Sequence, residues 1–271
     1  MWEALHYEFL RNAIFCGILV GIICAVVGTL VVVNRVVFLC GGIAHAAYGG
    51  IGIAIYLGIS PYIGATIFTL IMAIVMGVVS LKDRERSDTI IGVIWALGMA
   101  LGILFVDLSA GYQKDLMAYL FGSILSISLN DIFFISVVTA LITLTVSIFY
   151  KEFLAMSFDE EFCKVIGLPV TSFYLILMVM ISLSVVILIK MVGLILVIAL
   201  LSIPPYISEK FTTSISKMMI LSAILSIIFI LVGLWISYRF DISASATIIL
   251  VAGTGFLLTL ILERWHLQFK W

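Results

Sequence analysis

An all-α bundle crossing a membrane about eight or nine times is the fold class this sequence predicts, and three observations predict it. Of the 271 residues, 64% are hydrophobic and only 11% are charged, against roughly 45–50% and 25% in a soluble domain. The apolar residues fall in runs close to the ~20 that a helix needs to cross ~30 Å of hydrocarbon. The charged residues sit between these runs, with Lys and Arg concentrated on alternate sides.

In chain order the runs are about 12–33, 36–59, 62–80, 89–107, 131–149, 172–189, 191–208, 216–237 and 243–262. The stretch 112–128 is shorter and only moderately apolar, which predicts a re-entrant or interfacial piece. Glu3 and Glu8 stand where a cleavable signal peptide would carry a basic region, so the first run is expected to remain as a span. Cys16, Cys24, Cys40 and Cys163 show no CxxC or zinc-ribbon spacing and read as small hydrophobes. The chain is thus expected to form a single transmembrane domain over 1–271 in a lipid bilayer. The net charge of −1 points away from nucleic acid.

The region 172–208 decides the span count. As one helix it would be ~55 Å long, far more than a bilayer requires. Only Lys190 interrupts it. A lysine at mid-bilayer is costly, whereas at a helix end it snorkels to the interface. Two spans meeting near Lys190 are therefore expected. With nine spans and the N-terminus outside, the inner face holds ten Lys/Arg (Arg35, Lys82, Arg84, Arg86, Lys151, Lys164, Lys210, Lys217, Arg264, Lys270) and the outer face four (Arg11, Lys114, Lys190, Arg239). That is the positive-inside pattern, and fusing 172–208 into one span erases it.

Two inner loops carry charge. The segment KDRERSD (82–88) reads as a solvated connection. The segment KEFLAMSFDEEFCKVIGLP (151–169) is more specific. Phe158, Phe162, Val165 and Ile166 recur at helical spacing. Ser157 or Asp159 suits the N-cap, and Glu160 and Glu161 suit the first turn. Gly167, Leu168 and Pro169 make a stop signal. A short amphipathic helix on the inner face follows, resting either on lipid or on a protein. Three consecutive acids face an anionic leaflet unfavourably, which favours a protein partner.

At this point four motifs, in order along nearly the whole chain, make the sequence resemble the membrane subunit of bacterial ABC importers for zinc, manganese and ferrous iron. GIICAVVGTLVVVNRVVFLCGGIAHAAYGG (21–50) resembles the family's first span and its histidine-bearing second span. DLMAYLFGSILSIS (115–128) resembles its external segment, SFDEEFCKVIGLP (157–169) the loop that docks on the ATPase, and VGLILVIALLSIPPYIS (192–208) a later span ending in a Pro-containing turn. The resemblance implies a multi-pass protein of the bacterial cytoplasmic membrane. It works with two ATPase subunits, a second copy of itself or a close relative, and an external metal-binding protein. It also implies an ATPase-docking loop at 151–171, with Ser157, Phe158, Asp159, Glu160, Phe162, Gly167, Leu168 and Pro169 as coupling residues. The chain has no G-x-x-x-x-G-K-[ST], so ATP would be bound by the partner. The chain itself is expected to hold no cofactor and to catalyse no reaction. Its cargo would be a transition metal, zinc first, then manganese or iron.

One departure matters. The family usually carries Asp four residues before the histidine, on the same helix face. Here that position is Gly41, and Gly49 stands where Pro is common. His45 matches the family's ligand position without its usual partner. An ionisable side chain inside a span is a site hypothesis by default, and neutral imidazole suits zinc and iron(II). Gly41, Gly42, Ala44, Ala46, Ala47 and Gly49 around it admit either close helix packing or passage of a solute. The competing role for His45 is a hydrogen bond that holds two helices together. As further ligands the outer side offers Asp107 and Asp115, with Tyr48 nearby. Asp241 most simply pairs with Arg239, and Cys40 points off the His45 face. Gly17/Gly21 and Gly98/Gly102 match GxxxG, a weak signal in glycine-rich spans.

Three other functions compete. Loss of the carboxylate also fits a metal chelate or other small solute. An intramembrane enzyme lacks support from any H-E-x-x-H or G-x-S-x-G motif. A secondary transporter is expected to carry more intramembrane carboxylates.

Overall fold

The computed structural model describes residues 8–83, 86–109, 122 and 127–268. Asp115 and most of the external segment lie outside the described residues. Among the described residues all regular structure is helical. Along the chain run α1 (Glu8–Val33), α2 (Val37–Tyr56), α3 (Pro61–Lys82), α4 (Ser87–Asp107), α5 (Leu129–Ile148), α6 (Tyr150–Phe158), α7 (Glu160–Val165), α8 (Val170–Val192), α9 (Leu194–Phe211), α10 (Ile215–Phe240) and α11 (Ala244–Gln268). Nine of these, all but α6 and α7, are long and apolar enough to cross a membrane.

The expected break near Lys190 is present. α8 ends at Val192, and α9 begins at Leu194 after one residue, Gly193, at φ 79° and ψ 166°. That backbone region is essentially open to glycine alone. Lys190 sits in the last turn of α8. Its Nζ donates to Asp131 Oδ1 and lies 4.5 Å from the Tyr62 ring centroid. Asp131 in turn closes a capping box with Ser128 at the start of α5. An ion pair at helix ends, where water is near, avoids the penalty of a mid-bilayer charge.

α1, α2 and α8 form the interior of the bundle. Their spans are 67%, 78% and 72% buried, against 22–28% for α3, α4 and α5, whose outer faces keep Ile63, Ile67, Leu97, Leu104, Phe133 and Phe134 exposed. Glycine lets backbones touch at this core. A Cβ on Gly50 would lie 2.3 Å from the Gly64 carbonyl oxygen on α3, and one on Gly52 would lie 2.2 Å from that of Gly102 on α4. Both GxxxG pairs serve in this way: Gly98 and Gly102 seat α4 against Ala46, Tyr48 and Gly49 of α2, and Gly17 and Gly21 seat α1 against Ile230 and Ile227 of α10.

Two expectations need correction. α9 does not end in a proline turn, because it continues through Pro204 and Pro205 to Phe211. The prolines remove two donors, but neighbouring groups cover the freed backbone. The Leu201 carbonyl, which loses its i+4 donor to Pro205, presses on Gly28 of α1, where a Cβ would stand only 2.5 Å away. Such local compensation is what allows proline within a span. Second, Asp241 forms no ion pair with Arg239 among the described residues. It caps α10 in the left-handed conformation at φ 53°.

Candidate functional site

His45 lies about 12 Å along α2 from its first residue, Val37, at 1.5 Å per residue. It is half-buried among fully buried neighbours: Gly41, Gly42, Ala44, Ala46 and Ala47 are all covered. Between Leu39 and Gly52 the imidazole is at the one partly open position of this helix, on the face that exposed Phe38 and Tyr56 continue toward its two ends. Its Nδ1 is 2.9 Å from the Gly41 carbonyl oxygen. A carbonyl can only accept, so Nδ1 carries the proton and Nε2 keeps its lone pair. A backbone carbonyl holding one ring nitrogen, which leaves the other to ligate, is the usual way a metal-binding histidine is oriented. The bond stays within α2, and among the described residues no hydrogen bond joins His45 to another helix.

What crosses between helices is an aromatic contact. Trp95 of α4 stacks on His45 with centroids 4.0 Å apart and planes 32° from parallel. Trp95 Nε1–H donates to Met99 Sδ at 3.1 Å, and its ring also meets Phe38 at 5.9 Å. The sequence carried a signal for Trp95 that went unused: Trp and Tyr gather at membrane interfaces, whereas Trp95 lies inside the span of α4, away from both ends.

The carboxylates do not gather here. Asp107 is exposed at the last residue of α4. That is twelve residues beyond Trp95, or ~18 Å along the helix. Tyr48 and Cys40 are buried in the core, 4% and 1% exposed. Among the described residues no group of three or more His, Cys, Asp or Glu is placed to hold a metal. The local donor set is one imidazole nitrogen with a thioether and an indole beside it.

The inner loop is built from two short helices rather than one. α6 prolongs α5 inward, the chain breaks at Asp159 (φ −149°, ψ 94°), and α7 follows. Asp159 is the N-cap, its Oδ1 accepting from Phe162 N–H at 2.8 Å. Ser157 is not a cap. Its Oγ donates to the Phe153 carbonyl at 2.8 Å and accepts from Asn34 Nδ2 at 3.0 Å. Glu160 pairs with Lys164 at 2.8 Å along α7. The helix ends in a Schellman turn. Leu168 N–H donates to the Cys163 carbonyl at 2.9 Å and Gly167 N–H to that of Lys164 at 3.2 Å, with Gly167 at φ 81°. Glycine is favoured at that position because it meets no Cβ penalty. Leu168 packs inward beside fully buried Cys163, whereas Pro169 is exposed and leads into α8.

The resulting elbow shows an apolar tip. Phe158, Phe162, Val165 and Ile166 are 78%, 57%, 85% and 54% exposed. They stand beside exposed Asp159 and Glu161. Four adjacent large apolar side chains flanked by charges form a contiguous exposed patch rather than a scatter of singly exposed residues.

Comparison with known proteins agrees with this architecture. The chain is 47% identical over 264 residues to an uncharacterized membrane protein of Synechocystis sp., covering 97% of this chain and 94% of that protein. It is 33% identical over 256 residues to the manganese transport system membrane protein MntC of Halalkalibacterium halodurans, covering 94% and 88%. Among solved structures, PsaBC from Streptococcus pneumoniae in complex with Fab superimposes with a TM-score of 0.83 at 34% identity, over 93% of this chain and 91% of that chain. The ABC 3 transport family model matches residues 6–263, and this chain belongs to that family as one of its multi-pass membrane permeases.

Proposed function

We propose that the chain is the ion-conducting subunit of an ABC importer in the bacterial cytoplasmic membrane. It carries a divalent transition metal inward, zinc first and then manganese or iron. The observation that supports this most is half-buried His45, its Nδ1 held by the Gly41 carbonyl on a helix of small residues. Similarity to proteins named manganese and metal transport system membrane proteins supports a metal cargo. The donor set supports zinc before manganese, because imidazole suits zinc whereas manganese favours carboxylate oxygens. The same lone ligand also favours a second reading, a metal chelate that brings its own donors.

In this mechanism an external binding protein delivers the ion to a path between two copies of the chain, or this chain and a close relative. His45 replaces part of the lost hydration at a narrow point. One ligand per chain holds the ion weakly enough to release it. Asp107 and Asp115, on the outer side, are placed by sequence to attract the cation before it enters. ATP is hydrolysed by two separate subunits. Phe158 and Phe162 seat in a groove of each, with Asp159, Glu160 and the Gly167–Leu168–Pro169 stop holding the elbow in shape.

The test is uptake of zinc, manganese and iron by proteoliposomes holding the whole transporter, with His45→Ala and His45→Gln. Both variants should assemble with their ATPase and both should lose metal uptake, zinc most of all. Normal uptake by a well-assembled His45→Ala protein would remove the site. Retained ATPase in a Phe158→Ala, Phe162→Ala double variant would remove the docking surface.

A further inference from the structure

The hydrogen bond between Asn34 and Ser157 joins parts of the chain separated by 123 residues. Asn34 belongs to the three-residue joint between α1 and α2, and Ser157 to the last turn of α6. Neither group is otherwise idle. Asn34 Nδ2 also donates to the Leu30 carbonyl at 2.8 Å, and Ser157 Oγ–H to the Phe153 carbonyl at 2.8 Å. A continuous run of three hydrogen bonds therefore leads from the backbone of α6 to the backbone of α1, and both linking side chains are half-buried.

The joint that Asn34 occupies is stiff. Val36 N–H donates to the Val31 carbonyl and Arg35 N–H to that of Val32, both at 3.0 Å, which closes a Schellman turn on α1. Arg35 holds the left-handed position at φ 58°, where a side chain is unfavourable. α2 starts two residues later, and Cys40 N–H already donates to the Val36 carbonyl at 2.9 Å. Little slack separates Asn34 from His45. Glu160 of α7 lines the same inner cavity as Asn34 and Arg35, together with Ser80 and Tyr174, whose hydroxyls are 3.1 Å apart across α3 and α8.

We propose that Asn34 and Ser157 are positioning residues that transmit movement of the inner elbow to α2, and so set the state of His45 during the ATPase cycle. This rests on the elbow being the ATPase-docking surface, but the two ideas fail differently. Loss of docking removes the ATPase from the complex. Loss of the Asn34–Ser157 link leaves the ATPase bound and turning over, with less metal moved per ATP.

The experiment compares Asn34→Ala, Ser157→Ala, the double variant and Ser157→Thr in the complete transporter in proteoliposomes. It measures captured ATPase, ATP hydrolysis, and zinc or manganese uptake. Each alanine variant should capture ATPase as the parent does and transport about fivefold less metal per ATP, the scale of one partly buried hydrogen bond. The double variant should be no worse than the poorer single, because both remove one link. Ser157→Thr keeps the hydroxyl and should transport normally. The proposal is overturned by unchanged metal per ATP in both alanine variants, or by losses that multiply in the double variant. It is equally overturned if the alanine variants fail to assemble or lose ATPase in parallel with uptake, since the link would then be purely structural.

Discussion

Replacing Gly52 with alanine tests the packing that places Trp95 over His45. The new Cβ would stand 2.2 Å from the Gly102 carbonyl oxygen, 2.6 Å from its Cα and 2.8 Å from its carbonyl carbon, all of them backbone atoms that no rotamer change can clear. Separating the helices to the shortest tolerable contact moves α4 by about 0.8 Å. A gap of that size forfeits roughly a quarter to a half of each dispersion contact along the seam, and overpacking a tight interior typically costs about 1–3 kcal/mol. Alanine returns about 0.5–1 kcal/mol of helix propensity. A net loss of about 1–2 kcal/mol is expected, together with reduced metal uptake as Trp95 is drawn away from His45. The control is Gly92→Ala on α4, where nothing lies within 4 Å of the added Cβ. There the same chemical change should stabilise by about 0.5–1 kcal/mol. Thermal unfolding in detergent and uptake in proteoliposomes report both. Equal stability of the two variants, or a Gly52→Ala protein as stable and active as the parent, would show that the α2–α4 seam does not set the site.

Three further outcomes are expected. Lys190→Met leaves Asp131, whose side chain is 19% exposed, without its partner. Stability should fall by about 1–2 kcal/mol, between the exposed and buried limits for ion pairs, and an added Asp131→Asn should recover part of it in the same melting assay. Gly167→Ala meets no neighbour but must hold φ 81°. The elbow should lose about 1 kcal/mol from backbone strain alone, read as weaker ATPase capture, with Gly167→Asn milder. A topology reporter fused after Lys217 should be cytoplasmic and one at Arg239 external; the reverse at both positions would refute the orientation drawn from the Lys/Arg count.

Sequence by itself determined what depends on one-dimensional quantities. Run length and charge placement located nine spans and the break beside Lys190, because the bilayer fixes how many apolar residues a helix needs and which face takes the cations. Local chemistry at Asp159 and Gly167 was also legible, since a cap and a helix stop involve residues only three or four apart. What the sequence left open depends on which helices meet. His45 stood out as an ionisable group in a span, but its stacking on Trp95 follows from α2 and α4 touching through glycine. Lys190 was expected to reach the interface, yet Asp131 is 59 residues away and became its partner only through the packing of α5 beside α8. Sequence offers both Ser157 and Asp159 as the cap because it weighs only neighbours, whereas the Ser157 hydroxyl also accepts from Asn34 across the fold. Pro204 and Pro205 signalled a helix end, and the helix runs on because Gly28 of another span shelters the carbonyl they leave bare. Each difference has one physical cause: within a membrane, every backbone or side-chain polar group must be paired or sheltered by whatever lies beside it, and only the tertiary structure decides what lies beside it.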